Sequence, residues 1–377
     1  MSHCNTVLSQ IVRIFPRHEF QSLANKHHEG QKFRSFSRWS QFVAMLTAQL
    51  SARNSLRDVV DNLGVQGGKL YHLGVKAFSR ATLARCNEKQ PHTLYEELFK
   101  RLLGRCQGMA PRNKKFKLDS KVYLLDASLV ELTLSLFPWA KYQKTKGAAK
   151  LHIGLDADGY LPAFVDLTRG NEHEINRARE LELTKGSYVV FDRGYTDYRW
   201  YQELTEDGVF FVSRLKSNAI VTPGRKRRGR KSPGVVEDRE IRLGKLSETF
   251  RLVTCLDKET DITYQFVTNA LDIPAQTVAD LYKERWQIEL FFKWIKQNLR
   301  VKSFLGTSMN AVKTQLWIAL CAYLVLSFLK FQSKIGASLQ RMLRILQLNL
   351  FERRDLQELF SPRRRKISLC GSQLALI

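Results

Sequence analysis

Residues 282–300 read YKERWQIELFFKWIKQNLR and place one carboxylate, Glu289, among basic and aromatic side chains. The stretch has no proline or glycine and its apolar residues recur at helical spacing, which predicts a single helix. At ~100° per residue, Tyr282, Arg285, Glu289, Lys293, Lys296 and Arg300 fall within an arc roughly 80° wide. Leu281, Ile288, Phe292, Ile295 and Leu299 form a core-facing arc. Trp286, Leu290, Phe291 and Trp294 cover much of the rest, so the predicted helix is largely buried with one polar stripe open. Two readings fit that stripe. Glu289 lies four residues from both Arg285 and Lys293, which is ordinary spacing for solvated ion pairs. The same stripe would also present an acid to a metal ion beside cations that hold phosphates.

Two further acids bear on the choice. KVYLLD predicts a strand ending in Asp126, and SYVVFD predicts one ending in Asp192. Between them, LHIGLDADGYLPAFVDLT reads as two strands joined at Asp158-Gly159. NEHEINRARELEL reads as a helix opened by Asn171. TDYRWYQELTEDG then turns helical and VFFVSRL returns as a strand, for an order β-β-β-α-β-α-β. An aspartate at a strand end is often only a turn or cap former. If the first and fourth strands lie side by side and the later helix crosses their ends, however, Asp126, Asp192 and Glu289 meet at one edge. Three acids so placed require cations. Two Mg²⁺ ions about 3.5–4 Å apart, bound by oxygen ligands, would neutralise them. One ion would activate an attacking water or 3′-hydroxyl, and the other would stabilise the leaving oxygen of an in-line phosphoryl transfer.

The rest of the chain must position these groups. Its 377 residues are 44% hydrophobic, enough for one large domain with insertions or for two to three smaller ones. A formal charge of +25 points to a polyanionic partner, most often nucleic acid. Six scattered cysteines, without a C-x-x-C pair or zinc-ligand spacing, read as reduced thiols of a cytosolic protein. The apolar run 316–329 is short for a membrane span and suits a buried helix, and the N-terminus lacks the apolar core of a signal peptide. Residues 1–110 read as mostly helical, with 79–85 either a DNA-reading segment or a packing element. Residues 119–330 form the α/β region, interrupted at 216–274 by a β-rich insertion. The insertion opens with TPGRKRRGRKSPG, a solvated basic loop in which Arg225, Lys226, Arg227 and Arg228 suit sequence-independent phosphate contact. Residues 331–377 read as a basic helical tail. Lys141, Lys144, Lys146 and Lys150 suit a solvated surface or a DNA channel equally, and His173 suits a structural place or a DNA contact.

Over about residues 119–330 the chain resembles the IS4 family of bacterial insertion-sequence transposases, of the DDE class with a ribonuclease-H-like catalytic core. The resemblance rests on the signature Y-x2-R-x3-E-x6-K, matched by Tyr282, Arg285, Glu289 and Lys296. It rests also on VVFDRGYTDY and FFVSRLK around the second acid, DASLVEL around the first, and KGAAKLHIGLD with TRGNEHE between. It implies a metal-binding triad of Asp126, Asp192 and Glu289. It implies that Tyr282, Arg285 and Lys296 contact the DNA backbone near a cleaved end, with Lys293 and Arg300 on the same stripe. It further implies two Mg²⁺ ions with Mn²⁺ able to substitute, cut-and-paste transposition on terminal inverted repeats and target DNA, a homodimer on paired ends, and a cytoplasmic, nucleoid-associated place. Relatives often supply a stacking tryptophan from the insertion during hairpin formation. This insertion has none, which leaves Tyr264, Phe266 or Trp286 for that part. Two rivals stand beside it: a structure-specific nuclease on the same core, which would share the three acids but would not need the Tyr-Arg-Lys companions, and an inactive transposase-derived DNA-binding protein.

Overall fold

The structure is a computed structural model and describes residues 5–31, 36–116, 118–141, 147–227, 233–299, 301 and 304–360. Seven helices come first: α1 (Val7–Val12), α2 (Arg17–Lys26), α3 (Arg38–Leu50), α4 (Leu56–Val65), α5 (Gly67–Leu73), α6 (Arg80–Lys89) and α7 (Thr93–Gln107). The α/β region follows as β1 (Val122–Leu132), β2 (Gly147–Asp156), β3 (Leu161–Arg169), α8 (Glu174–Ala178), β4 (Tyr188–Phe191), α9 (Tyr198–Glu206) and β5 (Phe210–Arg214). The chain continues through β6 (Val221–Lys226), β7 (Val235–Leu243), β8 (Phe250–Asp257) and β9 (Ile262–Thr268). It closes with α10 (Ala275–Glu284), α11 (Trp286–Asn298), α12 (Met309–Gln332), α13 (Leu339–Asn349) and α14 (Leu356–Phe360).

The predicted β-β-β-α-β-α-β order is present, and the mixed sheet it builds is larger than that core. The strands of the insertion extend the same sheet, in the order β3-β2-β1-β4-β5-β9-β8-β7-β6. β1 pairs antiparallel with β2 and parallel with β4, and β5 pairs antiparallel with β9. The basic segment that opens the insertion is not wholly a loop, because Val221–Lys226 pairs with β7. Its Pro223 is tolerated because β6 is the outermost strand and the register slips between Pro223 and Lys226.

Alternation along the strands builds two cores. Leu124 and Val190 point to one face, where α10, α11, α12 and the N-terminal helices pack. Leu125, Val189 and Phe191 point to the other, against Trp200, Tyr201 and Leu204 of α9. The apolar run around residues 316–329 lies in α12, which is hydrophobic all round and sunk in the first core. It meets the N-terminal helices directly. The Phe99 and Trp317 rings lie 5.2 Å apart, and Asn310 donates to the Gln90 carbonyl at 2.7 Å. The N-terminal helices and the face that carries the candidate site therefore share one hydrophobic interior.

Candidate active site

β1 does not end at Asp126. It runs six residues further, and Asp126 sits mid-strand opposite Ile153. The extension follows from the residues beyond the acid, where DASLVEL keeps a strand-forming pattern and pairs with β2 as far as Gly147. β4 does stop before Asp192, whose side chain caps a 3-10 turn by accepting the Gly194 N–H at 2.7 Å. The parallel register sets Leu124 beside Val190. The pairing stops there; continued for two residues, the same register would set Asp126 beside Asp192, with period-2 alternation turning both toward the face that α11 covers. Glycine is needed at 194 for a local reason. A Cβ there would stand 2.9 Å from Asp192 Oδ1 and 3.7 Å from Glu174 Oε2.

Glu289 arrives from the opposite layer. Residues 282–300 do not form the single helix predicted. α10 ends at Glu284 and α11 starts at Trp286, with Arg285 at the junction. The Arg285 N–H reaches the Tyr282 carbonyl at 3.1 Å and the Ile288 N–H reaches the Arg285 carbonyl at 3.1 Å, a tightening to i→i−3 bonds. The break puts Glu289 in the first turn of α11, where the helix dipole favours a carboxylate. It also rolls Trp286 (58% exposed) and Leu290 out into solvent rather than into the core.

The guanidinium of Arg285 joins two of the three acids. It lies 2.5 Å from Glu289 Oε1 and 3.5 Å from Asp126 Oδ2. Its Nε is buried without an acceptor, and the Tyr282 ring centroid is 5.8 Å away. Burial pushes the Asp126 carboxyl up to about 6, and the charges of Asp192 and Glu289 act in the same direction against the Ala127 N–H and Arg285. Among the described residues no three His, Cys, Asp or Glu side chains form a ready-made metal cage. An arginine stands among the acids where a cation is needed.

The other predicted contacts separate. Lys296 reaches back to β1, with Nζ 2.6 Å from Ser128 Oγ and 2.9 Å from the Leu129 carbonyl, and so clips α11 over Asp126. Lys293 is exposed on the same helix, and Arg225 and Lys226 are exposed on β6. Arg227 bonds the Leu271 carbonyl at 2.7 Å and Glu240 at 3.3 Å, tying the β6–β7 hairpin to the chain that enters α10. Arg228, Arg300, Lys144 and Lys146 lie outside the described residues. His173 is exposed and precedes α8 without capping it; α8 itself is only five residues long and is not opened by Asn171. Of the aromatic candidates, Phe266 is buried against Tyr282 with ring centroids 4.8 Å apart. Tyr264 stacks on Phe266 and lies beneath Arg214.

Two residues near the site, Glu284 and Tyr195, escape the motif reading, and Lys150 is tied to Glu174 rather than lying on a solvated surface. Glu284 is 1% exposed and binds both the Tyr160 hydroxyl and the Lys115 ammonium at 2.5 Å. Its helical phase beside Leu281 and Ile288 marks it as core-facing, so an acid there already signals a buried partner. Lys150 bonds Glu174 at 2.9 Å and the Glu172 carbonyl at 2.7 Å, which fixes α8 beside the Asp192 turn. Tyr195 is buried, and burial with the charges of Asp126, Glu174 and Asp192 raises its phenol well above the ordinary value. No local pattern foretells Tyr195, because its partners come from different strands.

Comparison with known proteins defines the class. The profile of the Transposase DDE domain matches residues 117–325, and that of a domain of unknown function (DUF4372) matches residues 3–76. The chain belongs to the transposase DDE family and carries its ribonuclease-H-like core. It is 34% identical to a protein described as transposase y4zB of Sinorhizobium fredii, over 74% of this chain and 80% of that one. It is 30% identical to a transposase of insertion sequence element IS5377 of Geobacillus stearothermophilus, over 72% of each. A transposase of insertion sequence element IS4SA of Synechocystis is 22% identical over 80% of this chain and 84% of its own length. The chain is an insertion-sequence DNA transposase of the DDE class.

Proposed function

We propose that Asp126, Asp192 and Glu289 are the metal-binding acids of a cut-and-paste DNA transposition reaction. The observation that supports this reading is the parallel register of β1 and β4, which ends two residues before the two aspartates, together with the charges of Asp192 and Glu289 acting on Asp126. The donor set is all carboxylate oxygen and suits hard divalent ions, Mg²⁺ with Mn²⁺ as substitute. Two such ions held there would activate the attacking oxygen and stabilise the leaving one during end cleavage and strand transfer.

The chain supplies positioning. Asp126 is held by its pairing with Ile153 of β2, and Asp192 is oriented by the Gly194 N–H. Tyr282 of α10, Arg285 at the junction, and Lys293 and Lys296 of α11 would hold backbone phosphates, and Arg300 is assigned the same part. Arg225 and Lys226 on the exposed edge strand, with Arg227 and Arg228 following, would give sequence-independent contacts. The DNA partners are the terminal inverted repeats and the target duplex, bound by a homodimer that pairs two ends in the nucleoid-associated cytoplasm. The test is cleavage, with Mg²⁺, of supercoiled DNA carrying the element's own ends. End-specific cuts by wild type that disappear in Glu289→Gln, with end binding retained, are the expected result. Equal cutting by both proteins would return Glu289 to a structural ion pair.

A further inference from the structure

Arg285 occupies an unusual position for a residue assigned to DNA. Its guanidinium is 16% exposed and points inward, spanning Glu289 and Asp126. It sits at the break between α10 and α11, where the neighbouring backbone bonds are i→i−3. Its Nε has no acceptor among the described residues, so the group retains a donor in a buried place. Guanidinium groups pair with carboxylate and phosphate in the same two-pronged geometry. One group can therefore move from the acids to a DNA phosphate with little change in the kind of bond it makes. Two neighbouring cations make other contacts: Lys296 with Ser128 and Leu129 of β1, and Arg214 with the face of Tyr264.

We propose that Arg285 is a built-in competitor for the metal site, a cation that closes the carboxylate centre in the absence of DNA and leaves it for a backbone phosphate when an end is bound. The inference rests on the assignment of Asp126, Asp192 and Glu289 as metal ligands. While the guanidinium bridges Asp126 and Glu289, a divalent ion must displace it to bind both oxygens. Once DNA draws the guanidinium away, the same oxygens are open. Metal occupancy and DNA binding are then coupled through one side chain, and by reciprocity each strengthens the other. A transposase built this way keeps its phosphoryl-transfer centre quiet until substrate arrives.

The test is Mn²⁺ binding to the full-length protein without DNA, followed by isothermal titration calorimetry and by electron paramagnetic resonance of the unbound ion. Arg285→Gln should bind Mn²⁺ more tightly than wild type, on the order of tenfold, the scale of one favourable partly buried ion pair. Arg285→Lys keeps the charge but replaces the planar, five-donor fork by a single compact ammonium, and should fall between; it carries the test if the glutamine variant does not fold. Lys283→Gln removes one exposed positive charge two residues away and should change affinity by less than about twofold. Unchanged or weaker Mn²⁺ binding in both Arg285 variants would overturn the proposal, because the arginine would then be supporting the site. An equal gain in Lys283→Gln would overturn it too, by reducing the effect to net charge. Asp126→Asn separates the two readings. It should weaken Mn²⁺ binding, and unaltered binding would remove the ligand assignment itself.

Discussion

Replacing Tyr160 by Phe tests whether the hydrogen-bond network behind the signature helix holds that helix in place. Tyr160 lies in the tight β2–β3 turn at φ 53°, next to Gly159 at φ 72°. Its hydroxyl donates to Glu284, which is almost wholly buried, while its carbonyl accepts from the Tyr323 hydroxyl at 2.9 Å. The substitution keeps the ring and that carbonyl bond and removes only the donor to Glu284. Lys115 then remains as the partner of the carboxylate, and its side chain is 56% exposed, so water weakens what it can return. A hydrogen bond to a charged group contributes about 1.5–3 kcal/mol, and a buried acceptor left short of partners loses most of that. In a chain of this size that corresponds to a fall of roughly 2–4 °C in Tm. Thermal unfolding followed by circular dichroism measures it, with Tyr71→Phe as a control because Tyr71 is 84% exposed. A double-mutant cycle with Glu284→Gln should show coupling of about 1 kcal/mol or more, since the two groups touch. A Tyr160→Phe melting point indistinguishable from that of Tyr71→Phe would refute the reasoning and leave Glu284 held by Lys115 alone.

The remaining expectations concern charge. Burial raises Asp126 to about 6, above its ordinary 3.8. The folded protein therefore binds more protons there than the unfolded chain between about pH 4 and 6, and stability is lost as pH rises through that window, by at most ~3 kcal/mol. In metal-free protein, Asp126→Asn should accordingly gain stability over wild type by more at pH 7 than at pH 4.5; urea unfolding at the two values would show a pH-independent difference if the raised carboxyl were not real. DNA binding should weaken linearly in log–log form with salt, as expected for a protein that displaces counterions, and a flat response in a gel-shift titration would count against a basic DNA surface. Asp192→Asn should match Glu289→Gln in losing cleavage while retaining end binding, and residual end-specific cutting would place Asp192 in the turn-capping role alone.

The chain's own pattern determined a good deal. The alternation of strands and helices over residues 119–215, the buried character of α12 and the helical N-terminal third are all local properties, set by period-2 and period-3.6 hydrophobicity. The spacing of Tyr282, Arg285, Glu289 and Lys296 is equally local, and so is the order of the two aspartates before it. What periodicity does not encode is how neighbouring segments are held in space. It treats residues 282–300 as one rod, but the contacts of Glu284 with Tyr160 and Lys115 and the tightened turn at Arg285 divide them. That division turns Trp286 outward and points Arg285 at Asp126. Strand ends were similarly out of reach, because β1 continues past Asp126 only while β2 is there to pair with it. The insertion reads as a separate β-rich unit, yet hydrogen bonds from β9 to β5 merge it with the catalytic sheet. Residue types and intervals thus named the acids and cations. Only long-range pairing, through backbone hydrogen bonds and buried charges that meet partners far along the chain, decided which acids stand together and which cation stands between them.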